Sequence, residues 1–480
     1  MQPTKFDFVI IDLCVMGSNL LLNMADHGFS AIGYDTNPDK TKALETSAAN
    51  DTTIKGEVKG VNSLSEMISL LKTPRKLMML VPAGKPVDSV IGDLKPLLQK
   101  GDIIIDGGNS HYTDTLRRIN ELRNAGFHFM GIGISGGEEG ARKGPSIMPG
   151  GDEEAYKEVE AILKAVSAKV NGEPCVGYLG HDAAGHYVKM VHNGIEYAIM
   201  QLISECYDLM HNGLGLSNKE LHEVFKDWDG GDMKSFLLEI TAIIFDKKDD
   251  KTNNYLVDMI LDKAGAKGTG QWTSEEGLDL PMPIPTIDSA VMMRNLSGLI
   301  NERKEADSLY KMPLKKIEAD KKEFIAALRD ALYVATLMSY AQGLAMLTTA
   351  SSELKMDIPL PEVVSVWRGG CIIRSAMLDI FKKAYQNKDL KNILLDKNIA
   401  QLVQQKESAI QKIISIAALH NYPVAGLSAS LNYFNAYRRK LLPTNLVQAQ
   451  RDFFGAHTYQ RIDTDGIFHT EWEEKATTNQ

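Results

Sequence analysis

The feature that most narrows what this chain can become is an alternation confined to its first third. Short apolar runs take turns with segments of helical period. Phe6–Leu13, Ser30–Tyr34, Lys76–Val81 and Asp102–Asp106 are such runs, each ending at turn residues. A strand that is apolar on both faces must be covered on both faces, and a parallel sheet flanked by helices does this. Between the first two runs, Gly17–Asp26 places Leu20, Leu21 and Met24 on one side of a helix. The expectation is a parallel α/β sheet at the N-terminus.

From about Ala184 the strand-like runs stop and helical periodicity continues to about Lys440. The expected organisation is α/β plus all-α. Residues 1–183 carry the sheet, 184–440 are helical, and 441–480 form a C-terminal tail whose last stretch, KATTNQ, is expected to fray. The helical part contains a possible duplication. Glu223-Val224, Trp228 and Gly230-Gly231 recur as Glu362-Val363, Trp367 and Gly369-Gly370, and Ser235 matches Ser375 after a one-residue slip. Chance resemblance is the alternative.

Composition sets outer limits. The 480 residues are 44% hydrophobic with a net charge of −9, which suits a globular protein and argues against a general nucleic-acid binder. Cys14, Cys175, Cys206 and Cys371 have neither paired nor metal-ligand spacing, so they read as free thiols in a reducing cytoplasm. MQPTKFDF lacks the pattern of a signal peptide, and no apolar run approaches a bilayer span. No membrane, nucleic acid or metal is expected as a partner.

The turn after the first run, Asp12-Leu13-Cys14-Val15-Met16-Gly17, lies where a dinucleotide pyrophosphate is held at a helix N-terminus. Of G-x-G-x-x-G only Gly17 remains. Asp35, at the end of the second strand, suits an acceptor for ribose hydroxyls and would repel a 2′-phosphate. A turn aspartate before Pro38 is the plainer reading of it. Asp12 adds a Cβ where a tight turn favours none, and an anion near a dianion, costing about tenfold in affinity.

Lys189, His192, Asn193, Glu196 and Tyr197 fall on one helical stripe, with Met190, Val191 and Ile195 opposite. A solvated face would repeat Lys and Glu. A stripe that mixes a base, an acid, an amide and an imidazole suits a cleft.

The string HYVKMVHNGIEY holds that stripe. With SGGEEGARKGPSIMPGG, DIIIDGGNS, KGTG, RGGCIIR and QAQRDFFGAHTY, it resembles the decarboxylating 6-phosphogluconate dehydrogenase family over nearly the whole chain. The resemblance implies a Rossmann-like doubly wound sheet, a large helical domain and oxidative decarboxylation of 6-phosphogluconate in the pentose phosphate pathway. It implies Lys189 as general base and Glu196 as the acid that protonates C1. Asn109, Ser135, Gly136, Gly137, His192 and Asn193 would hold the carboxylate and hydroxyls. Tyr197, Lys267, Thr269 and Arg294 would hold the phosphate, joined by Arg451 and His457 from the partner of a homodimer.

The cofactor, NADP or NAD, would lie along Asp12, Leu13, Val15, Met16, Gly17, Asp35, Thr36, Val81, Pro82, Ala83 and Asn109. The family's GLAVMG, NRT and VKAG have here become DLCVMG, Asp35-Thr36-Asn37 and Val81-Pro82-Ala83-Gly84. The arginine for the 2′-phosphate is absent and Thr36 supplies no charge in its place, which suggests NAD. A silent sugar-phosphate-binding dimer with a decayed cofactor site is the alternative, and another β-hydroxyacid substrate a third reading.

Overall fold

A computed structural model describes residues 5–472, so the KATTNQ ending lies outside the described residues. The N-terminal sheet comprises β1 (Phe8–Ile11), β2 (Ala31–Tyr34), β3 (Val58–Val61), β4 (Lys76–Met79), β5 (Ile103–Asp106), β6 (His128–Ser135) and β7 (Ser146–Gly151). Their order is β3-β2-β1-β4-β5-β6-β7. Along β1, Phe8 and Ile10 enter the core on one face and Val9 and Ile11 that on the other. This period of two, with both faces covered, is why the run is apolar throughout.

The expectation of a wholly parallel sheet needs one correction, because β7 runs antiparallel to β6. A parallel return needs a crossover of about a dozen residues or more. The link here is little more than the short Gly137–Lys143 helix. Strands β3, β6 and β7 have no counterpart among the runs singled out in the sequence. β3 is only half-buried, and β6 and β7 are interrupted by glycines.

Beyond the sheet and a small antiparallel pairing of Lys169–Val170 with Glu173–Pro174, the described chain is mainly helical. Its axis is the helix Ala184–Asp208, which lies directly against β6 and β7. Gly185 makes that contact possible, since a Cβ there would stand 2.2 Å from the Gly131 carbonyl oxygen and 2.4 Å from that of Met148. Sheet and helices therefore share packing across 183/184, and Met1–Ser430 forms one compact unit. The opposite side of this helix is closed by Lys321–Glu353, where Gly343 approaches Ile195 and Val191. The expectation that no segment could span a bilayer also needs correction. Lys321–Glu353 is long and apolar enough, but it is a mostly buried core helix. Ser, Thr and Gly break up its sequence.

The two matched segments stand in like positions. Each is a helix ending in a buried tryptophan (Asn218–Trp228 and Leu360–Trp367) followed by a turn with a positive-φ glycine, Gly231 or Gly370. Ser235 and Ser375 face each other in an antiparallel bridge.

Leu431–Gln480 forms a second, small unit. The helix Thr444–Gly455 is anchored in it by the buried Asp452 carboxylate. That group accepts from Thr458 N–H at 2.9 Å, His469 Nδ1 at 2.9 Å, Thr470 N–H at 3.0 Å and Trp472 Nε1 at 2.8 Å.

Candidate active site

The Lys189 stripe is enclosed. Lys189 is only 7% exposed and His192 fully buried. Gly133 on β6 leaves the room that Lys189 needs, since a Cβ there would lie 2.4 Å from that of Lys189. A chain of polar contacts runs along the helix. Ser135 Oγ is 3.4 Å from His192 Nε2, and His192 Nδ1 is 3.0 Å from Asn193 Oδ1 and 3.5 Å from Lys189 Nζ. Asn193 Nδ2 donates to Thr269 Oγ1 at 2.9 Å, and Glu196 Oε2 stands 3.8 Å from His192 Nδ1.

Burial pushes the two ionisable ends of this stripe in opposite directions. The Lys189 ammonium is destabilised by desolvation, against the pull of Glu196, and its pKa falls below the ordinary 10.5. The Glu196 carboxyl rises above 4.5 by desolvation, against the pull of Lys189 and Arg294. His192 falls well below 6.5 through desolvation and the Lys189 charge, so it stays neutral. A lysine brought down and a carboxyl brought up are suited to serve as base and acid in one reaction.

Tyr197 is buried, and the Arg294 guanidinium lies over its ring at 3.4 Å. Gly270 sits under the same ring. Thr269 opens the helix Thr269–Asp279, and Lys267 is exposed just ahead of it. This end offers cations and a hydroxyl to an anion. Gly136 and Gly137 follow Ser135 at the start of the next helix, and Gly136 meets the Gly370 carbonyl so closely that no Cβ fits. Arg451 and His457 belong to the C-terminal unit, Arg451 bonded to Gln448 and His457 edge-on to Phe454.

At the other end, α1 (Val15–Asp26) follows β1 with no acidic residue in its first turn and no side-chain cap from Cys14. Its N-terminus suits an anion. Gly17 has a strict reason to be glycine: a Cβ would lie 2.2 Å from the Asp12 carbonyl oxygen. Leu13 and Gly17 are buried, Met16 half-buried and Val15 exposed. Val81, Pro82 and Ala83 leave β4, and Thr36 is exposed after β2. Asn109 is exposed on the loop after β5, whose shape is held by Asp106 accepting from Gly108 N–H and Ser110 Oγ. These residues fit a dinucleotide.

Two expectations are corrected here. Asp35 is not a free acceptor for two ribose hydroxyls. It is 6% exposed, and it already accepts from Leu13 N–H at 2.9 Å, Asn37 N–H at 2.9 Å and Lys40 Nζ at 2.8 Å. A carboxylate has about four acceptor positions, so little capacity remains. Nor does the turn lack a cation. Lys40, in the first turn of α2 (Pro38–Asn50), also stands 3.3 Å from Asp12 Oδ1. Sequence spacing could have found it by scanning one helical turn beyond Asp35.

Other supporting residues carried no sequence signal. Arg118, 1% exposed, reaches Asp88, Asp106, Ser110 and the Gly84 carbonyl, and so ties the Val81–Gly84 turn to the Asn109 loop. Glu276 accepts from Tyr112 at 2.7 Å and Tyr187 at 3.2 Å. The Trp367 ring packs edge-on to His192.

Comparison with known proteins agrees with this geometry. Residues 7–180 match the family model for the NAD binding domain of 6-phosphogluconate dehydrogenase, and residues 185–472 that for its C-terminal domain. The chain is 50% identical over 471 residues to the NADP(+)-dependent, decarboxylating 6-phosphogluconate dehydrogenase of Bacillus subtilis, covering 98% of this chain and 99% of that one. It is 48% identical over 476 residues to the decarboxylating enzyme of Synechocystis, covering 98% of each. The Plasmodium falciparum 6-phosphogluconate dehydrogenase, solved apo, with its cofactor NADP+ and with its substrate 6-phosphogluconate, superposes with a TM-score of 0.94 at 44% identity. That match covers 97% of this chain and 100% of the other.

Proposed function

The chain belongs to the 6-phosphogluconate dehydrogenase family, and from that premise we propose how its own residues divide the work. The reaction is oxidative decarboxylation of 6-phosphogluconate to ribulose 5-phosphate and CO2, coupled to reduction of a nicotinamide dinucleotide, with NADP the form named for the Bacillus subtilis relative. A bound dinucleotide supplies the hydride acceptor.

Neutral Lys189 takes the proton of the substrate's 3-hydroxyl as a hydride leaves C3. The resulting β-keto acid loses CO2 because its carbonyl accepts the electron pair. Lys189, now an ammonium inside a dry cleft, stabilises the oxyanion that develops. Glu196, whose protonated form burial favours, delivers a proton to C1. Asn109, Ser135, Gly136, Gly137, His192 and Asn193 hold the carboxylate and hydroxyls. Tyr197, Lys267, Thr269 and Arg294 take the phosphate. The observation that carries this assignment is the enclosed stripe on one helix face, where Lys189 Nζ lies 3.5 Å and Glu196 Oε2 3.8 Å from His192 Nδ1.

Steady-state turnover of 6-phosphogluconate with NADP and with NAD, read with CO2 release, tests it. No turnover with either would favour the silent dimer. Glu196→Gln is expected to lower kcat by about 10²- to 10⁴-fold. It also removes the anion that favours charged Lys189, so the acidic limb of the pH profile moves to lower pH. A limb that stays in place counts against their coupling.

We further propose a cytoplasmic homodimer in which Arg451 and His457 complete the neighbouring subunit's phosphate site. The C-terminal unit carries Phe453, Phe454, Leu446 and Ile467 with more than half their surface exposed, as a face awaiting a partner would. Mixing inactive Lys189→Met and Arg451→Ala proteins should then restore about one quarter of wild-type activity, because half the dimers are mixed and each has one intact site. Activity that stays at the level of the separate variants overturns the shared site.

A further inference from the structure

Asp12 occupies a backbone conformation with φ of +76°, which L residues rarely adopt. Its carboxylate is aimed across the gap between the β1 and β2 ends, where Lys40 Nζ lies 3.3 Å from Asp12 Oδ1 and 2.8 Å from Asp35 Oδ2. The Asp35 carboxylate also accepts from Leu13 N–H, so the three side chains fasten the β1–α1 turn to the start of α2. A cation in the first turn of a helix is opposed by the helix dipole. Two carboxylates hold this one there. The hydrogen bond to Asp35, ahead of that to Asp12, keeps the Lys40 ammonium above its ordinary pKa, so the cluster remains charged at neutral pH.

Resting on the assignment of this turn to a nicotinamide dinucleotide, we propose that Lys40 is a specificity-determining residue, bridged between Asp12 and Asp35. Its ammonium screens Asp12 from the pyrophosphate, which is how an aspartate is tolerated in this turn. The same bridging withholds the ammonium from a 2′-phosphate on the adenosine ribose. The three charges sum to one negative, which a ribose hydroxyl tolerates and a phosphate dianion does not. Without Asp12, the remaining Lys40–Asp35 pair is neutral and the ammonium is free to turn toward a 2′-phosphate.

The test is equilibrium binding of NADPH and NADH, followed by their fluorescence, to the full-length protein. Wild type, Asp12→Gly, Lys40→Ala and the double variant are compared, with circular dichroism establishing that each is folded. Asp12→Gly is expected to tighten NADPH about tenfold and to move NADH by less than about threefold. Lys40→Ala should weaken NADH about tenfold, and most of that loss should vanish in the double variant, where no carboxylate is left to screen. Equal shifts of both dinucleotides on Asp12→Gly, or a Lys40→Ala loss that is the same with and without Asp12, overturn the role of Lys40 alone. No binding of either dinucleotide to wild type overturns the cofactor assignment beneath it.

Discussion

Lys189→Met is expected to lower kcat by at least about 10⁴-fold, since it removes both the general base and the cation that forms when the base is protonated. Methionine has nearly the length of lysine and suits the apolar surroundings, so 6-phosphogluconate should still bind by calorimetry. The same substitution should leave the protein as stable or more stable. Desolvation holds Lys189 below its ordinary pKa of 10.5, so in the folded state the proton is lost while the unfolded chain still holds it. Stability of the wild type therefore rises with pH between the depressed native value and 10.5, and below that window the full penalty is present. The variant should lack this slope and gain most below the depressed native value. Thermal denaturation across pH checks it. Turnover close to wild type would contradict the role of base, and identical stability–pH curves would contradict the burial penalty.

Gly185→Ala is expected to be nearly as damaging although the residue touches no reacting group. Its Cβ would meet the carbonyl oxygens of Gly131 and Met148 at 2.2 and 2.4 Å and the Gly150 nitrogen at 2.6 Å. All three are backbone atoms of β6 and β7 and have no rotamer through which to yield. The helix must lift from the sheet, at a cost of about 3 kcal/mol or more. Lys189 lies one turn further along, and a displacement of ~1 Å there costs about 10²-fold in rate. Gly92 supplies the control, because it is helical with open space around it. Gly92→Ala should raise stability by about 0.5–1 kcal/mol. A Gly185→Ala protein with wild-type melting temperature and kcat would refute the close-packing account.

The sequence by itself determined the inner parallel strands β1, β2, β4 and β5, the helical texture after Ala184 and the polar stripe from Lys189 to Tyr197. Each is a repeating pattern, of period two or of helical period, that local backbone geometry imposes on side chains. The long substrate strings added the family, because they name residues that meet in the fold while standing far apart in the chain. Ser135 and Thr269 were legible on that ground alone.

Tertiary structure decided the rest. The reversal of β7 depended on the length of a connection. The use of Gly185 and Gly133 depended on what lies opposite them. Whether Lys189 and Glu196 are shifted depended on burial, which composition does not reveal. The cofactor end changed most. Read along the chain, Asp12 was a lone anion, Asp35 a free acceptor and Thr36 the mark of a missing cation. In the folded molecule Lys40 lies between the two aspartates. Electrostatic effects follow distance in space, and the turn after β1 and the first turn of α2 become neighbours only when β1 and β2 pair.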